Sequence, residues 1–389
     1  MRLTRLQLAN FRNFSHLDIP LNPGLSVFVG ENAQGKTNLL EAIYLLSSLS
    51  DPRASSDLEL INRQAAEEES AVARVTGEAA AAGGPFKMEV VIASIPDGPA
   101  SQGQGPAVSK TVRINGLQKP LGEAVGLLAA VLFSVRDLDL ITGAPALRRR
   151  YLDLALSQAA QGYLAARRRF DKVLQQRNYL LKRIRDGLAG ADEMEFWDSE
   201  LAKDGGHLFW VRASFIEALD ERARGLHVLL GSGEALSLAY IPALGDQDVS
   251  GLRSQEEAGF AYLRLLRETR AQQVAAGVTL FGPHRDDFSF ALDGVAAAAF
   301  SSRAQQRSIA LALRLAEAQH LRTAKGDAPI LLIDDIFSEL DAGRRKRVFE
   351  AIVGYDQVLI TTTEADRVPS HHLATAALYS VSAGLVEPA

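Results

Sequence analysis

Hydrophobic and polar residues follow two different periods along the chain, which predicts an α/β fold. Residues 25–29 form a short β-prone run that ends at Gly30, and a helical period follows with Leu39, Ile43 and Leu46 on one face. Two further apolar runs, at 330–333 and 358–361, predict buried strands late in the chain. The early segment is therefore a strand, a glycine-bounded loop and a helix.

The middle of the chain has a helical pattern. Residues 145–270 predict a mostly helical region, and 163–185 predict one helix about 35 Å long at 1.5 Å per residue. Arg177 interrupts its apolar stripe, so a long coiled coil is not supported. Residues 79–85 and 96–106 are rich in Ala, Gly, Ser and Pro and predict surface loops on either side of a strand at 87–92.

Composition excludes several classes of protein. The 389 residues carry a net charge of −5, so a nucleic-acid site has to be a local basic patch. The chain has no cysteine, which excludes disulfides, thiolate catalysis and zinc-ribbon sites. The N-terminus lacks an apolar signal core and no apolar run reaches 18 residues, so we expect a soluble cytoplasmic protein with no membrane span.

A phosphate-binding loop is the strongest motif in the sequence. Residues 30–37 read Gly-Glu-Asn-Ala-Gln-Gly-Lys-Thr and match the pattern G-x-x-x-x-G-K-[ST]. Glycines let backbone N–H groups turn inward around an anion, and the following helix adds the positive end of its dipole. Lys36 would reach the β- and γ-phosphates, and the Thr37 hydroxyl would bind Mg²⁺.

A second carboxylate motif lies at the end of a later strand. The apolar run 330–333 leads directly into Asp334 and Asp335, and ligands of a parallel sheet bind at the carboxyl ends of its strands. Asp334 is then placed to hold Mg²⁺, and Asp335 to lie near the water that attacks the γ-phosphate. Asp341 is a good N-cap for a helix over 342–353.

A possible signature segment precedes this strand. Ser302 and Gln305 form an S-x-x-Q capping box before a helix with one apolar face. The structural interpretation is a well-capped helix. The functional interpretation uses the same helix N-terminus to present Ser302 and free amides to a γ-phosphate.

Together these strings resemble the RecF family, a branch of the ABC-type ATPase heads related to SMC proteins. Residues 334–341 resemble a Walker B motif with its D-loop, and 302–307 resemble the family signature. Further similar stretches lie at 10–13, 36–43, 137–153 and 277–287, so the resemblance runs from Leu6 to about Thr363. It implies an ABC-type P-loop ATPase domain over 1–135 and 275–389, with an inserted, mostly helical lobe over 136–274.

The resemblance also implies roles for individual residues, with ATP and Mg²⁺ as ligands. Catalysis is expected from Lys36, Asp334 and Asp335, and the metal ligands are Thr37 and Asp334. The residues expected to bind the nucleotide are Arg12, Gly30, Asn32, Gly35, Lys36, Thr37, Asn38, Ser302 and Gln305.

Three positions depart from the usual ABC pattern. Ala304 replaces the glycine of the signature, where its methyl group would crowd a phosphate or favour the helix. Asp335 stands where many ABC ATPases have glutamate; its shorter side chain implies slow hydrolysis. Thr361, Thr362 and Thr363 stand where a switch histidine is usual.

Basic residues are concentrated in one segment. Between 148 and 185 there are 11 basic and two acidic residues, which favours a phosphate-contacting surface over a merely solvated helix face. Few aromatic residues interleave them, so contact with a duplex backbone is favoured over base stacking. The DNA-binding candidates are Arg148, Arg149, Arg150, Arg167, Arg168, Arg169, Lys182 and Arg183, with a second cluster at 344–347.

The resemblance implies an ATP-gated DNA-binding protein of recombinational gap repair. RecF proteins bind double-stranded DNA near single-strand gaps or junctions and, with RecR and RecO, help RecA to load. Two heads sandwich two ATP molecules, and weak, DNA-stimulated hydrolysis releases the homodimer, so we expect a nucleoid-associated protein. The alternatives are an SMC-like structural ATPase head, a transporter ATPase and a small-molecule P-loop kinase.

Overall fold

The loop from Gly30 to Thr37 directly follows one of the inner strands of a six-stranded sheet. In the computed structural model, which describes residues 1–54, 56–67, 71–95, 107–245 and 254–389, neighbouring strands are parallel except for the last pair, β14 and β15. In spatial order the strands are β15 (Leu385–Pro388), β14 (Ala377–Ser382), β3 (Gly24–Val29), β13 (Gln357–Thr362), β12 (Ile330–Asp334) and β8 (Ala130–Ser134).

The central strands β13 and β12 are buried along nearly their whole length. Every residue of β13 is buried, as are Ile330, Leu331, Leu332 and Ile333 in β12. Strands covered on both faces are rich in Val, Ile and Leu, and these two have that composition. The predicted strands at 25–29, 330–333 and 358–361 are confirmed.

A second, antiparallel sheet is built from the first 120 residues. Its order is β2 (Phe14–Pro20), β1 (Arg2–Phe11), β4 (Val72–Ala81), β5 (Gly84–Ile95), β6 (Ala107–Ile114) and β7 (Leu117–Lys119).

One loop prediction in this sheet is wrong. Ala79, Ala80 and Ala81 lie in β4, and Ala81 pairs with Gly84 across a tight hairpin, so only the turn between them is a loop. Pairing with β1 and β5 decides the conformation here, because strand preference depends strongly on neighbours. The strand predicted at 87–92 is confirmed within β5. The loop predicted at 96–106 lies outside the described residues.

The chain divides into two compact units, and the helices divide with it. The first unit comprises residues 1–138, 225–233 and 307–389, and the second comprises 139–224 and 234–306. The first contains α1 (Lys36–Ser48), α2 (Leu121–Ala124), α11 (Ala342–Ile352), α12 (Ser370–Leu373) and most of α10 (Arg303–Lys325). The second contains α3 (Asp139–Thr142), α4 (Pro145–Ala159), α5 (Tyr163–Arg185), most of α6 (Met194–Leu229), α7 (Gln255–Glu268), α8 (Arg270–Ala276) and α9 (Ala297–Phe300).

The second unit also holds a small antiparallel sheet and a helical core. The sheet order is β11 (Val295–Ala296), β10 (Asp287–Leu292) and β9 (Leu236–Ile241). Helix α5 has the bounds expected from its period, and the mostly helical region at 145–270 is confirmed. Leu180, Leu181 and Met194 form one of its buried clusters.

Arg177, which interrupts the α5 stripe in the sequence, is fully buried. Its Nε donates to Asp198 Oδ1 at 2.8 Å, and its Nη1 donates to Gln273 Oε1 and Thr279 Oγ1, each at 2.8 Å. A buried charge is tolerated when it is paired and hydrogen-bonded in this way.

The division into an ATPase domain and a lobe stays a prediction, since compactness alone does not assign function. The contacts place 275–306 in the second unit, whereas the sequence analysis assigned these residues to the ATPase domain. Among the described residues, no helix combines the length and apolar character needed to cross a lipid bilayer.

Candidate nucleotide site

Two glycines of the loop are required by close contacts as well as by conformation. A Cβ on Gly30 would lie 2.2 Å from the carbonyl oxygen of Val381 in β14, so no larger residue fits. Gly35 has a φ of +113° and lies against the Asn13 amide, which a Cβ would approach to 2.4 Å. The two fixed glycines of the motif therefore let the loop pass between β14 and the β1–β2 turn.

Helix α1 begins at Lys36, directly after the loop. The Lys36 Nζ donates to the carbonyl oxygens of Gly30 at 2.6 Å and Glu31 at 2.7 Å, which holds the ammonium group across the loop. Burial lowers the pKa of Lys36, and the carboxylates of Asp335 and Asp334 act in the opposite direction. A cation held between a helix N-terminus and a concave loop suits a polyphosphate.

Thr37 and Asp334 lie together at the mouth of the loop. The Thr37 Oγ1 donates to Asp334 Oδ1 at 2.8 Å, although the two residues come from the start of α1 and the end of β12. The Thr361 Oγ1 at the end of β13 donates to the same oxygen, also at 2.8 Å. Sequence reasoning did not find this role for Thr361; its place at the carboxyl end of a neighbouring parallel strand was the available signal.

These oxygen atoms fit a magnesium ion. Mg²⁺ prefers hydroxyl and carboxylate oxygens and usually keeps several waters, so it needs only one or two protein ligands beside the substrate phosphates. Thr37 and Asp334 supply one hydroxyl and one carboxylate on neighbouring elements. These two side chains would hold the metal, which would neutralise charge on the phosphates.

Asp335 has a strained backbone and a partly buried carboxylate. Its φ is +51°, in the left-handed region, and its carbonyl oxygen accepts a hydrogen bond from Ser338 Oγ at 2.8 Å. Its Oδ1 is buried and has no hydrogen-bond partner within the described chain. Burial raises the pKa of Asp335, Lys36 lowers it and Asp334 raises it. A raised pKa and an unpaired oxygen are features of a carboxylate that acts on a ligand.

The loop is braced by residues that the motif does not contain. Asn13 Nδ2 donates to the Gln34 carbonyl at 3.1 Å, and Asn13 Oδ1 accepts from Asn38 Nδ2 at 2.8 Å. The turn between β14 and β15 adds two bonds, from Ala383 N to Gln34 Oε1 at 2.6 Å and from Gly384 N to the Gln34 carbonyl at 3.1 Å. Asn38 thus supports the loop through Asn13, and Asn32 lies within it.

Arg12 forms ion pairs with two carboxylates of the first unit. Its Nε lies 3.4 Å from Glu41 Oε2 and its Nη2 lies 3.3 Å from Asp51 Oδ2. Glu41 is fully buried on α1, one turn after Thr37, and Arg53 forms a second ion pair with it. Burial raises the pKa of Glu41, which the two arginines oppose. Arg12 therefore supports α1 in this structure, and its contact with nucleotide stays a prediction.

The acidic string after β12 continues into a capped helix. Asp341 Oδ1 accepts from the Arg344 backbone N–H at 2.9 Å, so the predicted N-cap of α11 is confirmed. Between Asp335 and this cap, Glu339 forms an ion pair with Arg307 of α10. The D-loop candidate thus forms an ion pair with α10.

The signature candidates form the predicted capping box within the second unit. Gln305 Oε1 accepts from the Ser302 backbone N–H at 2.7 Å, and Ser302 Oγ accepts from the Gln305 backbone N–H at 3.3 Å. The Gln305 Nε2 also donates to Glu234 at 2.7 Å. Ser302 is thus fixed at the N-terminus of α10, and its contact with a nucleotide stays a prediction.

Comparisons with known proteins agree with the site. The family model described as the RecF/RecN/SMC N-terminal domain matches residues 2–383. A protein of Roseiflexus castenholzii named DNA replication and repair protein RecF is 40% identical over 398 residues, covering 100% of both chains. The chain belongs to the RecF family.

Solved structures agree with this assignment. A RecF structure described as the recombination mediator protein RecF-ATP in the RecFOR pathway matches with a TM-score of 0.85 and 29% identity, covering 100% of this chain and 97% of the other. An Smc head bound to the C-terminal winged-helix domain of ScpA matches with a TM-score of 0.51 and 17% identity, covering 100% and 98%. The predicted fold, an ABC-type P-loop ATPase head, is confirmed.

Several basic residues of this RecF family member have structural partners. Arg148 is buried and forms a two-pronged ion pair with Asp287, at 2.6 Å and 2.8 Å, and also donates to the Gly143 carbonyl. Its guanidinium is therefore held within the second unit rather than at the surface, and its contact with DNA stays a prediction. Arg149 donates to the Asp286 carbonyl at 2.9 Å, and Arg150 is half-buried and also has an interaction within the protein.

Ion pairs also neutralise other cations of the basic segment. Arg167 pairs with Asp153 and Asp171, and Arg169 pairs with Asp204 at 2.7 Å. Acids inside the segment, Asp153 and Asp171, and one outside it, Asp204, therefore neutralise part of its charge. In the second cluster, Arg347 donates to the Leu230 carbonyl at 2.9 Å. The binding of DNA by Arg168, Lys182, Arg183 and the others stays a prediction.

The Gly-Pro-His-Arg-Asp-Asp segment of the RecF resemblance is a salt-bridged turn within the second unit. Fully buried Asp286 accepts from Arg212 Nη1 at 3.0 Å and from the Ala243 backbone N–H at 2.8 Å. Its neighbour Asp287 holds Arg148. Both carboxylates of the segment therefore have structural partners.

Proposed function

We propose that this protein is an ATP-dependent DNA-binding protein of recombinational gap repair. It binds duplex DNA near single-strand gaps and, with RecR and RecO, helps RecA to load. Family membership supports this function, because a full-length relative is named a DNA replication and repair protein and a solved relative is described as an ATP-bound recombination mediator.

The observation that carries the proposal is the contact between Thr37 and Asp334 beside Lys36. It joins the phosphate loop to the end of β12 and supplies the oxygen ligands that a magnesium–ATP complex requires. In this proposal Lys36 holds the β- and γ-phosphates, while Thr37 and Asp334 hold Mg²⁺. Gly30, Gly35, Asn32 and the amides at the start of α1 surround the phosphates.

Asp335 is the proposed hydrolytic residue. Its carboxylate orients the attacking water and accepts its proton as the bond between the β,γ-bridging oxygen and the γ-phosphorus breaks. The short side chain keeps hydrolysis weak, and DNA stimulates it. Slow turnover suits a switch, since the ATP-bound form then persists long enough to act.

ATP joins two copies of the chain in this proposal. Each γ-phosphate lies between the loop of one protomer and the Ser302–Gln305 segment of its partner. A ligand that bridges two chains stabilises the dimer by mass action, and hydrolysis removes that stabilisation. Because the dimer is the form that binds DNA, the nucleotide state controls DNA binding.

The decisive experiment measures binding of a fluorescent gapped duplex with ATP and Mg²⁺, with ADP and Mg²⁺, and without nucleotide. We expect tighter binding with ATP only. Lys36→Ala should have the same DNA affinity with and without ATP. Ser302→Arg should bind ATP, but ATP should not increase its affinity for DNA. Lys87→Ala, at an exposed position on β5, is the control and should behave as the wild type. Equal affinity in all three nucleotide conditions would refute the proposal.

A further inference from the structure

The solvent face of α5 carries a stripe of basic residues around one exposed aromatic ring. At 100° per residue its members lie within an arc of about 100°, opposite the buried face that contains Phe170, Arg177 and Leu181. From first to last they span about 22 Å at 1.5 Å per residue. The α5 stripe consists of Arg168, Lys172, Tyr179, Lys182 and Arg183.

The positive charges of the α5 stripe are available to a ligand. The side chains of Arg168, Lys172 and Lys182 are exposed, and no described residue forms an ion pair or hydrogen bond with these side chains. The Arg183 Nη2 donates to the Leu188 carbonyl at 3.0 Å. The neighbouring acids are already paired, on the flanks of the helix: Asp171 with Arg167, Asp204 with Arg169, and Asp186 with Arg185. Local charge on this face is therefore positive although the whole chain is negative.

Tyr179 is placed within this row of cations. Its side chain is 61% exposed, and the Arg183 guanidinium carbon lies 5.9 Å from the centre of its ring. An aromatic ring usually buries its faces, so a ring at the surface between cations is available to a planar ligand. Aromatic residues are few along the whole basic segment, which favoured duplex contact in the sequence, but Tyr179 is exposed among its cations. Cations that contact phosphates and a ring that stacks on bases are the two components of single-strand binding surfaces.

We propose that the α5 stripe binds single-stranded DNA beside the duplex, with Tyr179 stacked on an unpaired base. Duplex bases cover each other's faces, so a surface ring can stack only where pairing ends. The four cations contact the phosphates on either side of that base. This proposal rests on the DNA-binding function proposed above, and it assigns the single-stranded part of a gap to one helix.

The first test removes the ring. Affinity is measured in ATP and Mg²⁺ for a gapped duplex, for the same duplex fully paired, and for an oligothymidylate. Tyr179→Ala should lose about ten-fold in affinity for the gapped and single-stranded DNA and stay within about two-fold for the paired duplex. Tyr179→Phe keeps the ring and should bind as the wild type. Phe260→Ala removes another exposed ring, on α7, and should change nothing.

The second test removes the charges. Replacing Arg168, Lys172 and Lys182 together by glutamine should reduce the salt dependence of oligothymidylate binding by about two in the log–log slope. Lys203→Gln, an exposed position on α6, is the matched control and should leave the slope unchanged. Unchanged melting temperatures show that the variants are folded.

The outcomes separate this inference from the function on which it rests. If the wild type does not bind gapped DNA in ATP, the proposed function fails. If the wild type binds and Tyr179→Ala binds gapped DNA equally well, only the inference is overturned. An equal loss on paired and gapped DNA also overturns it, because the ring would then not distinguish unpaired bases.

Discussion

Thr37 and Asp334 are 297 residues apart in sequence, and their side-chain oxygens lie 2.8 Å apart. One residue begins the helix after the phosphate loop and the other ends a buried parallel strand. Their contact assembles the site from two distant segments, and Thr361 holds the shared carboxylate from the next strand.

Replacing Asp334 should separate metal-dependent catalysis from nucleotide binding. Asp334→Asn keeps the shape and removes the charge that would hold Mg²⁺, so ATP hydrolysis should fall by at least about 100-fold. Nucleotide binding in EDTA should change little, because Lys36 and the loop amides remain. Hydrolysis is followed by phosphate release and binding by a fluorescent ATP analogue. Hydrolysis at the wild-type rate would contradict the assignment of Asp334.

Gly30→Ala should destabilise the first unit through a clash with β14. The new methyl group would lie 2.2 Å from the Val381 carbonyl oxygen, so the strand or the loop has to move. We expect a loss of about 1–3 kcal/mol in the free energy of unfolding, measured by denaturant titration. Gly83→Ala is the control, because nothing lies within 4 Å of its Cβ. Equal free energies of unfolding for the two variants would show that β14 or the loop can shift without loss of stability.

The pH dependence of hydrolysis should report on Asp335. Burial raises its pKa, and the deprotonated carboxylate is the form that accepts a proton. Activity should therefore fall as the pH decreases through this raised pKa, at a higher pH than an exposed aspartate would require. Asp335→Asn should hydrolyse ATP slowly at every pH, and its activity should not show this fall at acidic pH. If the activity of the variant falls over the same pH range, the titrating group is not Asp335.

Arg148→Gln should affect folding more than DNA binding. The substitution leaves the partly buried Asp287 carboxylate without its charged partner, which should cost about 2–3 kcal/mol of stability. Asp287→Asn should cost a similar amount, and the double variant less than the sum of the two losses. Arg168→Gln is the contrasting surface variant and should leave the melting temperature unchanged. Additive losses at Arg148 and Asp287 would mean that the ion pair contributes nothing.

His284 should make the protein sensitive to mild acid. Burial lowers its pKa from 6.5 to about 4, while its Nε2 contacts the Thr279 carbonyl at 3.2 Å. The unfolded chain binds a proton below pH 6.5 and the folded chain only near pH 4, so stability is lost as the pH falls through that window. Between pH 7.5 and 5 the loss is about 2 kcal/mol.

His284→Gln is the comparison for this titration, since its amide can donate to the Thr279 carbonyl without taking up a proton. Unfolding is measured at pH 7.5 and 5 for both proteins. The wild type should lose about 2 kcal/mol more than the variant. Equal losses would show that His284 does not titrate in this range.

Local patterns were enough to predict the phosphate loop between its strand and helix, and most of the strands near it. The loop at 30–37 is continuous in sequence, and its neighbours follow from strand ends that meet at one edge of a parallel sheet. The supports from Asn13 and Ala383 were not predictable, because they come from turns distant in sequence and depend on how the sheets pack.

Charge was less predictable for the same reason. The segment 148–185 is basic in sequence, but Asp204 and Asp287 lie outside it and form ion pairs with its arginines in the folded unit. Counting charges along the chain therefore overestimated the free surface charge. Asp198 likewise pairs with Arg177 of the segment, and the cations that remain were identified only when the exposed face of α5 was known.

The central claim is that ATP joins two copies of this chain, and the mass in solution tests it most directly. Light scattering is recorded with ATP and Mg²⁺, with and without a gapped duplex. The protein should have a mass of 42.0 kDa without nucleotide. With ATP the protein mass should double, and Ser302→Arg should prevent the doubling. A mass that stays at 42.0 kDa with ATP, even when gapped duplex is present, would contradict the account.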